Sequence, residues 1–541
     1  MAQDNAKESS VGGSALQPHK TYTYAANPSF YSVVPEPYKQ YYQNFVREWL
    51  AWYDGYVPWL HQAGTDEGIF STRIAQTVAD KLARQITGGN LLFDDGGEDN
   101  TETQTFNGRE LNAVEFAQRY IKKQRMTPKL IRGMAYALAA GDSIIKLDNK
   151  QGELYPTILR KDYYFLDTDF QGNIIAFSAL LHEEVQQTKT DSGENYEREF
   201  YILEERRFNE NGEAQYRKSI KEGQGHRVNY KDNDFHSGDT RYQDLPRGIR
   251  ERLNRSFPNE RNFNEWKPLP FSDLGVYMLK ATEGISHQPS LPFGESIFSN
   301  AVDILMAYDF FFSSMVTDQY LGRGKVILPR GMEGPNRNDN FYNVLKDMAY
   351  HRIPYTNPDE QSPMSIQFDL RADEWRSIRD NLLQQFAMKL GINPRDLATF
   401  IVPASEKPSA QEISTDENET ALWVESKRDI NIEPIQRLLD TLLEFYNYND
   451  SYVEVKFSQK GLSNMNTLVN QTAILKQNNL INEEMAIDRL YPDLSEKQKE
   501  KLLNDLSTNK PQQQEEPKEG ATVEEENENS FRNGQSQVPN E

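Results

Sequence analysis

Histidine and cysteine, the side chains that most often bind metals or act as nucleophiles, are sparse in this sequence. The seven histidines are scattered, with no two of them four residues apart and no His-Glu-x-x-His motif, so no zinc site is predicted. Cysteine is absent, which excludes disulfides, Cys-ligated metals and a thiol nucleophile. No Gly-x-Ser-x-Gly motif is present either. The sequence therefore predicts no catalytic residue, no metal site and no cofactor.

Two short segments have the composition of a ligand-binding loop but not its arrangement. Gly322-Arg323-Gly324-Lys325 is similar to part of a phosphate-binding loop, yet Val326 occupies the position where Ser or Thr would hold magnesium. Asp167 and Asp169 could ligate a metal, but they precede Gly172, and a turn explains this pattern. Neither segment is predicted to bind a ligand.

The charge balance of the chain is strongly acidic. Its 541 residues include 82 Asp and Glu against 60 Lys and Arg, which gives a formal net charge of −22. This excess argues against a protein that holds DNA or RNA by neutralising phosphates over its whole surface. Aromatic residues make up 11% of the chain, which excludes global disorder. Asp303 and Asp309 interrupt the longest apolar stretch, so no membrane span is predicted.

Apolar periodicity predicts helices in the first part of the chain and an antiparallel sheet after them. Apolar residues at helical spacing, ended by glycines, predict helices at 38–59, 69–86 and 114–140. Short alternating runs predict strands at 143–147, 154–159, 173–180 and 199–207. The polar stretch 209–267 is predicted to form a hairpin and a long surface excursion.

A second set of predicted helices brackets a small insertion. A Pro- and Gly-rich turn at 290–296 opens a helix that runs to Leu321. Asp373 is predicted as the N-cap of another helix, which ends at Gly391. The insertion between these helices is predicted to hold strands at 325–328 and 365–370 and a short helix at 341–350.

The last part of the chain is predicted to be mostly helical. Three prolines predict a loop over 392–408, and a capping box at 409–412 starts a long helix. Pro434 removes a backbone donor inside that helix, which predicts a kink near Asn431. A strand at 453–457, helices at 464–477, 482–490 and 495–506, and a disordered acidic tail follow.

Several short motifs occur in a fixed order along residues 38–506. They are STRIAQTVA at 71–79 with GG at 88–89, ALAAGDSI at 137–144, DFQGNIIA at 169–176, PFGESI at 292–297, GINP at 391–394 and SAQE at 409–412. In this order they resemble the motifs of tailed-bacteriophage portal proteins, of the kind found in long-tailed phages of Gram-positive hosts. The order carries the resemblance, because each motif alone is common.

The resemblance implies an α+β, mainly helical subunit of a ring, usually a dodecamer, at one vertex of the capsid. DNA would enter through this ring during packaging and leave through it on infection. The implied regions are a flexible N-terminal arm (1–37), a wing (38–290), a first stem helix (291–321), a clip (322–372), a second stem helix (373–391), a tunnel loop (392–408), a long kinked helix with a wing strand (409–458), a crown (459–507) and an acidic tail (508–541).

Two groups of residues follow from this mapping as candidate functional residues. The tunnel loop carries an apolar tip that would narrow the channel or, alternatively, pack into the next subunit; its candidate residues are Arg395, Thr399, Phe400, Ile401, Val402 and Lys407. The clip has seven Lys or Arg against six Asp or Glu, so it is a local departure from the acidic average. Its basic edge is either a docking surface for an acidic partner or a solvated surface, and it consists of Arg323, Lys325 and Arg330.

The implied partners are those of a DNA conduit in a virion. They are further copies of the chain, the terminase large subunit, a head-completion or adaptor protein, the major capsid and scaffolding proteins, and double-stranded DNA, with no membrane. Assembly is expected in the host cytoplasm. An acidic ring would repel passing phosphates weakly, which suits a channel that must not bind DNA.

Two other hypotheses remain open from the sequence. Another phage structural protein, such as a baseplate or connector component, is the closer one. A glycoside hydrolase would show alternating strands and helices, whereas the order here is helix, sheet, helix, insertion, helix. Rings with a central hole, seen by negative-stain imaging, would distinguish a portal from both.

Overall fold

The structure of this chain is a computed structural model. The structure describes residues 36–56, 70–88, 91–94, 103–106, 108–169, 172–189, 195–222, 240–258, 260, 262–286, 291–321, 325–329, 352–353, 364–366, 371–401, 418–448, 451–458, 465–477, 481–491, 499 and 501–504. The described residues form an α+β fold that is about half helical and contains mixed sheets. The predicted α+β class is therefore confirmed.

Glycines in the left-handed conformation end several of the helices, as the sequence predicted. Gly55, Gly88 and Gly391 each have positive φ and donate a backbone hydrogen bond into the last turn. The described helices are α1 (Glu36–Tyr41), which continues through a π-helical turn (Tyr42–Val46) into α2 (Arg47–Asp54), α3 (Ile74–Thr87), α4 (Ala113–Lys123), α5 (Met126–Ala140), α6 (Arg247–Ser256), α7 (Val302–Leu321), α8 (Ala372–Leu390), α9 (Pro394–Ile401), α10 (Asn418–Phe445), α11 (Met465–Gln477) and α12 (Glu483–Leu490).

The described strands form several small sheets and one larger one. They are β1 (Leu91–Asp94), β2 (Gln104–Phe106), β3 (Arg109–Leu111), β4 (Asp142–Lys150), β5 (Glu153–Arg160), β6 (Tyr164–Thr168), β7 (Ile174–Lys189), β8 (Asn195–Phe208), β9 (Ala214–Glu222), β10 (Lys267–Pro268), β11 (Val276–Lys280), β12 (Lys325–Pro329), β13 (Arg352–Ile353), β14 (Met364–Ile366) and β15 (Glu454–Phe457). The larger sheet has the order β10-β9-β8-β7-β6, and two three-stranded sheets have the orders β11-β4-β5 and β13-β12-β14. The pairs β1-β15 and β2-β3 complete the described sheets.

The described cores lie between these helices and sheets. One core joins α2, α3, α5, α7, α8 and the start of α9. A second packs α4 and α10 against β4 and β15, and a third packs the π-helical turn against the strands β6, β7 and β8. The helix α6 covers the larger sheet through a fourth. The helices in these cores therefore bury apolar faces against their neighbours, as amphipathic periodicity requires.

The chain divides into two compact units, residues 1–467 and 468–541. In the second unit, the side chain of Asn482 caps α12 by accepting a hydrogen bond from the backbone N–H of Met485 at 2.7 Å. All of the described sheets lie in the first unit.

The helix predicted over 114–140 is two helices. α4 ends at Lys123, Arg125 has a φ of 50°, and α5 begins at Met126. Pro128 lies in the first turn of α5, where its missing N–H would have no helical partner in any case. The proline therefore permits a helix start, which the uninterrupted apolar pattern concealed.

The helix predicted to open at residues 290–296 begins later, at Val302. Residues 297–301 form turns, with Ser299 donating to the carbonyl of Ser296 and Ala301 to that of Phe298. The preceding segment is held in a non-helical path by contacts with α5 and β4, so local helical periodicity does not decide its conformation.

The prediction of a loop over 392–408 was wrong for the first half of that range, because Pro394–Ile401 form the helix α9. Pro394 is the first residue of that helix, and the side chain of Asn393 accepts a hydrogen bond from the N–H of Arg395 at 2.8 Å. The proline that indicated a loop is therefore a helix-starting proline. The N-cap of α8 is Arg371 and not Asp373, which lies in the first turn of α8.

Several predictions fall outside the described residues. They concern the N-terminal arm before residue 36, the helix at 341–350, the capping box at 409–412, and the acidic tail. The strand predicted at 325–328 is β12, and the strand predicted at 365–370 is described as β14 over Met364–Ile366. Pro434 lies within α10 as predicted, and the kink there stays a prediction.

Candidate functional site: the buried joint at Gly141 and Gly294

Two of the sequence motifs meet in the interior of the first unit. Gly141 ends α5, and Gly294 precedes α7; their backbones lie so close that a Cβ on either glycine would stand 2.1 Å from the carbonyl oxygen of the other. Gly141 also has a φ of 94°, which disfavours any residue with a Cβ. The N–H of Ile297 donates to the carbonyl of Leu138 at 3.0 Å and extends the contact. The two motifs therefore meet in a backbone contact that only glycine permits.

Asp142 is the polar centre of this contact, which we call the joint. Its carboxylate is fully buried and accepts hydrogen bonds from Lys161 Nζ at 2.6 Å, from Gly294 N at 3.2 Å and from the hydroxyl of Tyr164. Lys161 is also fully buried. A buried ion pair of this kind is retained only where hydrogen bonds satisfy its remaining atoms. The joint thus ties the start of β4 to the residues that lead into α7.

Aromatic rings surround the ammonium group of Lys161. Its Nζ lies 3.5 Å from the centroid of the Phe293 ring, and the rings of Tyr41, Tyr42 and Tyr164 lie between 5.2 and 5.7 Å away. Ring faces attract cations, and this attraction strengthens where water is absent. Tyr41 donates to the carbonyl of Gly294 at 3.2 Å, so the rings also hold the backbone of the joint.

Burial dominates the electrostatics of the joint. It lowers the pKa of Lys161 to about 8, although Asp142 acts in the opposite direction. Burial also raises the pKa of Tyr41 and Tyr164 well above the usual tyrosine value, and the charge of Asp142 adds to this effect. The cluster is closed to solvent and its groups are paired with one another. It can therefore fix the segments that contribute to it relative to one another, but it offers no surface on which a substrate could react.

A second contact attaches the segment before α3 to the middle of α7. The N–H and hydroxyl of Thr72 both donate to Asp309 Oδ1, at 2.8 and 2.6 Å, and the N–H of Phe70 donates to the hydroxyl of Ser313 at 2.8 Å. Burial raises the pKa of Asp309, against the hydrogen bonds from Thr72. The residues at the start of the 71–79 motif are therefore attached to α7 by hydrogen bonds.

Ion pairs connect α7 and α8 near both of their ends. Lys389 Nζ lies 2.9 Å from Asp303 Oδ2, and Arg371 Nη2 lies 3.1 Å from Asp318 Oδ1. Because the start of α7 contacts the end of α8 and the reverse, the two helices are antiparallel. The ring of Phe311 lies 5.4 Å from that of Trp375 between them. The insertion that is predicted to be the clip connects the end of α7 to the start of α8, and both lie at the end of the helix pair that carries Asp318.

The long helix α10 is fixed by two buried side chains. The Asn431 amide pairs with the backbone of Lys280, donating to its carbonyl and accepting from its N–H at 2.8 Å each. Arg428 donates to the carbonyls of Ile86 and Ser458, also at 2.8 Å. Cationic groups are favoured at helix carboxyl ends such as that of α3. These contacts join α3, β11 and β15 through one helix.

The structure places the described tunnel-loop candidates on α9. Phe400 and Ile401 are partly buried and pack against the core of their own chain, and Lys81 Nζ lies 5.9 Å from the Phe400 ring. These two residues share one helix face with Leu397 and pack within the chain, and the role of the apolar tip in the channel stays a prediction. Arg395 is exposed, Thr399 is a residue of α9, and Val402 and Lys407 lie outside the described residues.

The basic edge predicted for the clip is described only in part. Lys325 is the first residue of β12, which pairs antiparallel with β14 and parallel with β13. Arg323 and Arg330 lie outside the described residues, as do most residues between them and α8. Docking by these three residues stays a prediction.

Sequence reasoning missed the buried charges of the sheets. Glu204 contacts Lys146 Nζ at 2.8 Å, and Arg206 donates to the carbonyls of Leu147 and Leu274 at 2.8 Å each. Burial alone would raise the pKa of Glu204, but Lys146 and Arg206 lower it to about 2. The available signal was a charged residue inside an apolar strand pattern, as in IIKL and FYILEERRF. Lys161 follows a predicted strand and gave no comparable signal.

The described residues offer neither a metal site nor a helix that could span a membrane. They contain no group of three or more His, Asp or Glu that could hold a metal ion. Among the helices of the described segments, none is long and apolar enough to cross a membrane.

Comparison with known proteins identifies the family of the chain. A family model described as phage portal protein, SPP1 Gp6-like, matches residues 71–512, and no curated protein matches. This family is structural and non-enzymatic, and its members form the oligomeric ring at the capsid vertex of the virion through which DNA is packaged and ejected. The match covers most of the sequence and favours the portal hypothesis over the baseplate, connector and hydrolase alternatives. The chain therefore belongs to the SPP1 Gp6-like family of phage portal proteins.

Proposed function

We propose that this chain is one subunit of a portal ring divided into wing, stem, clip and crown regions. The observation that carries the proposal is the antiparallel pair of α7 and α8, which brackets the separate sheet β13-β12-β14. The pair supplies the stem and the bracketed residues supply the clip. The sheets and helices before residue 290 supply the wing, and α11 and α12 supply the crown. The long helix α10 and β15 return the chain to the wing.

The joint has a definite task in this arrangement. It attaches the last residues before α7 to β4 of the wing through Asp142 and the two glycines. Force applied to the stem during DNA passage is therefore transmitted to the wing through buried contacts and not through a loose linker. The Thr72–Asp309 contact provides a second attachment farther along α7.

Ring formation is tested by imaging and by mass. Purified protein should give rings with a central hole by negative-stain microscopy, and light scattering should give the mass of about twelve subunits, because heterologous contacts close into rings. A monomer at micromolar concentration and moderate salt contradicts the proposal. Rings with another number of subunits are compatible with the portal function and would correct only the proposed number of twelve.

Membership of the portal family supports a proposal for the partners. We propose a terminase large subunit and a head-completion or adaptor protein at the clip, major capsid and scaffolding proteins around the wing, and assembly in the cytoplasm of a Gram-positive host. Changing Arg323, Lys325 and Arg330 together to Ala tests the clip, because they form its most concentrated basic edge. Intact rings with weakened binding of the packaging motor support it, and wild-type binding rejects it.

The tunnel segment is proposed to narrow the channel beyond α9. A deletion of residues 402–407 tests this proposal, since it spares α9 and its packing against the core. Rings should assemble, and particles that carry the deletion should lose packaged DNA. Normal DNA content with normal particle yield would show that the segment is a connector only.

A further inference from the structure

The side of α7 that faces away from its own core carries large apolar side chains. Met306 is 46% exposed and Phe310 is 59% exposed, and the two lie one turn apart on the same face of the helix. Their neighbours Leu305, Tyr308 and Phe311 are buried within the chain. Removing a Met or Phe side chain from water contributes about 1.5–3 kcal/mol. The exposed face is therefore a source of binding energy that the single chain does not use.

The paired helix α8 has two exposed sides of different character. Between Glu374 near its start and Lys389, which pairs with Asp303, residues at spacings of three and four form an uncharged side that consists of Ile378, Asn381, Gln385 and Met388. The other side, here called the charged side, consists of Asp373, Arg376, Asp380 and the neutral Gln384. Covering the uncharged side requires little desolvation of charge, whereas covering the charged side is costly. The uncharged side is thus the one suited to a protein contact.

The exposed face of α7 and the uncharged side of α8 belong to one surface. The Asp303–Lys389 ion pair bridges the two helices on this side, and Met306 follows Asp303 by one turn. Phe310 is eight residues from Asp318 and Ile378 is seven from Arg371, so both lie about 10–12 Å from the other ion pair. The two side chains therefore stand at the same level of the helix pair.

Phe70 adds a further ring to this surface. It is 49% exposed, and the hydrogen bond from its N–H to Ser313 Oγ fixes it beside the turn of α7 that follows Phe310. Phe70, Met306, Phe310 and Ile378 are hereafter the apolar face of the helix pair. Several large apolar side chains exposed on one side of a soluble protein mark a contact site.

We infer that the apolar face of the helix pair binds the neighbouring copy of this chain in the ring, and that the charged side of α8 stays in water. This inference rests on the proposed ring. A closed ring of identical chains requires heterologous contacts, in which the face on one copy meets a different surface of the next. The apolar face of one copy therefore contacts a different surface of the neighbouring copy, and not the apolar face of that copy.

Labelling of single cysteines tests the inference, because the natural chain has no cysteine. Phe310→Cys should react with a maleimide at least about tenfold more slowly in intact rings than in dissociated protomers, since interface cores exclude water. The matched control is Gln384→Cys, on the charged side of α8, which should react at the same rate in both states. Native mass spectrometry of each variant establishes that rings are present.

The outcomes separate this inference from the proposed function. Rings in which the thiol of the Phe310→Cys variant reacts as fast as in protomers overturn the inference and leave the portal ring in place. Disulfides that join the introduced thiols of two Phe310→Cys copies also overturn it, because such a contact is isologous. A chain that forms no rings under any condition removes both proposals.

A charge substitution provides a second measurement that does not depend on labelling. Phe310→Asp should leave the protomer folded, because the side chain is mostly exposed, and should raise the protein concentration needed for ring assembly at least about tenfold. Gln384→Asp is the control and should assemble as the wild type does. Equal assembly by both variants would overturn the inference. Circular dichroism establishes that each protomer is folded.

Discussion

Gly294 and Phe310 are only 16 residues apart, yet the surroundings of the two are opposite. At Gly294 the backbone touches Gly141, and the ion pair of Asp142 and Lys161 is fully buried. At Phe310 most of the side chain lies in solvent. The first region is completed by contacts within one chain, whereas the second has apolar surface left over. In the proposed ring, the contacts that make a subunit rigid and the surface that binds the next subunit therefore lie in adjacent parts of the sequence.

The strongest test of this contrast is a single methyl group in the joint. Gly141→Ala should lower the free energy of unfolding by more than about 4 kcal/mol, because the added Cβ would meet the backbone of Gly294. Gly152→Ala is a matched control, since Gly152 has a φ of 83° and no atom within 4 Å of its Cβ position. It should cost only about 1–2 kcal/mol for the left-handed backbone. Denaturant unfolding of both variants measures the difference, and equal effects would show that the backbone contact is unimportant.

The next test removes one charge of the joint. Lys161→Met should destabilise the protein by about 3–5 kcal/mol, because Asp142 would remain buried without its ion-pair partner. The double variant Asp142→Asn/Lys161→Met should lose less than the sum of the two single changes. Thermal unfolding of the four proteins completes the cycle. Additive effects would mean that the pair does not act as a unit.

Asp309 should give a smaller effect with a defined dependence on pH. Burial raises its pKa in the folded protein, so the stability it contributes is fully present below the unfolded pKa and is lost as pH rises through the folded pKa. Asp309→Asn keeps an acceptor for Thr72 and removes the buried charge. It should therefore match or exceed the wild type by about 1 kcal/mol at about pH 7.5, and this advantage should shrink toward about pH 4.5. The midpoints of urea unfolding at both pH values measure the difference in stability between the two proteins. If the advantage of Asp309→Asn grew on acidification, the predicted pH dependence would be wrong in sign.

The smallest effect is expected where α7 and α8 meet at the surface. Asp303 is 66% exposed and Lys389 is 35% exposed, so water and salt weaken their attraction. Lys389→Ala should change protomer stability by no more than about 1 kcal/mol. Thermal unfolding beside the wild type measures it. A loss comparable to that of Lys161→Met would mean that the helix pair depends on its ion pairs as the joint does.

Local signals in the sequence were sufficient for most elements of the fold. Glycine stops and apolar spacing located α3, α8 and β4 to within a few residues. They did not reveal β1, whose four residues acquire strand structure by pairing with β15. The same limit explains α9, where a proline is compatible with both a loop and a helix start. Pairing partners distant in sequence have no local signature.

The joint was predictable in its parts but not as a whole. The sequence singled out Gly141-Asp142 and Phe293-Gly294 as motifs, but nothing in their spacing indicated that the two glycines touch. Lys161 was not selected, because a lysine after a strand is ordinarily exposed. Its burial follows from the aromatic side chains that separate segments of the chain contribute around it. Such a cluster exists only in the tertiary structure.

The pairing of β1 with β15 has a consequence for how the protein is made. Leu91 pairs with Phe457, and Arg428 and Ser458 meet the end of α3 beside them. The ribosome must therefore synthesise more than four-fifths of the chain before these early residues find their partners. Until then the apolar side chains of α4 lack the α10 side chains with which they share a core. A nascent chain in this state exposes surface that promotes aggregation, and contacts so distant in sequence form slowly. Because two strands of only four residues each depend on such a distant pairing, we expect the chain to require chaperones during its synthesis.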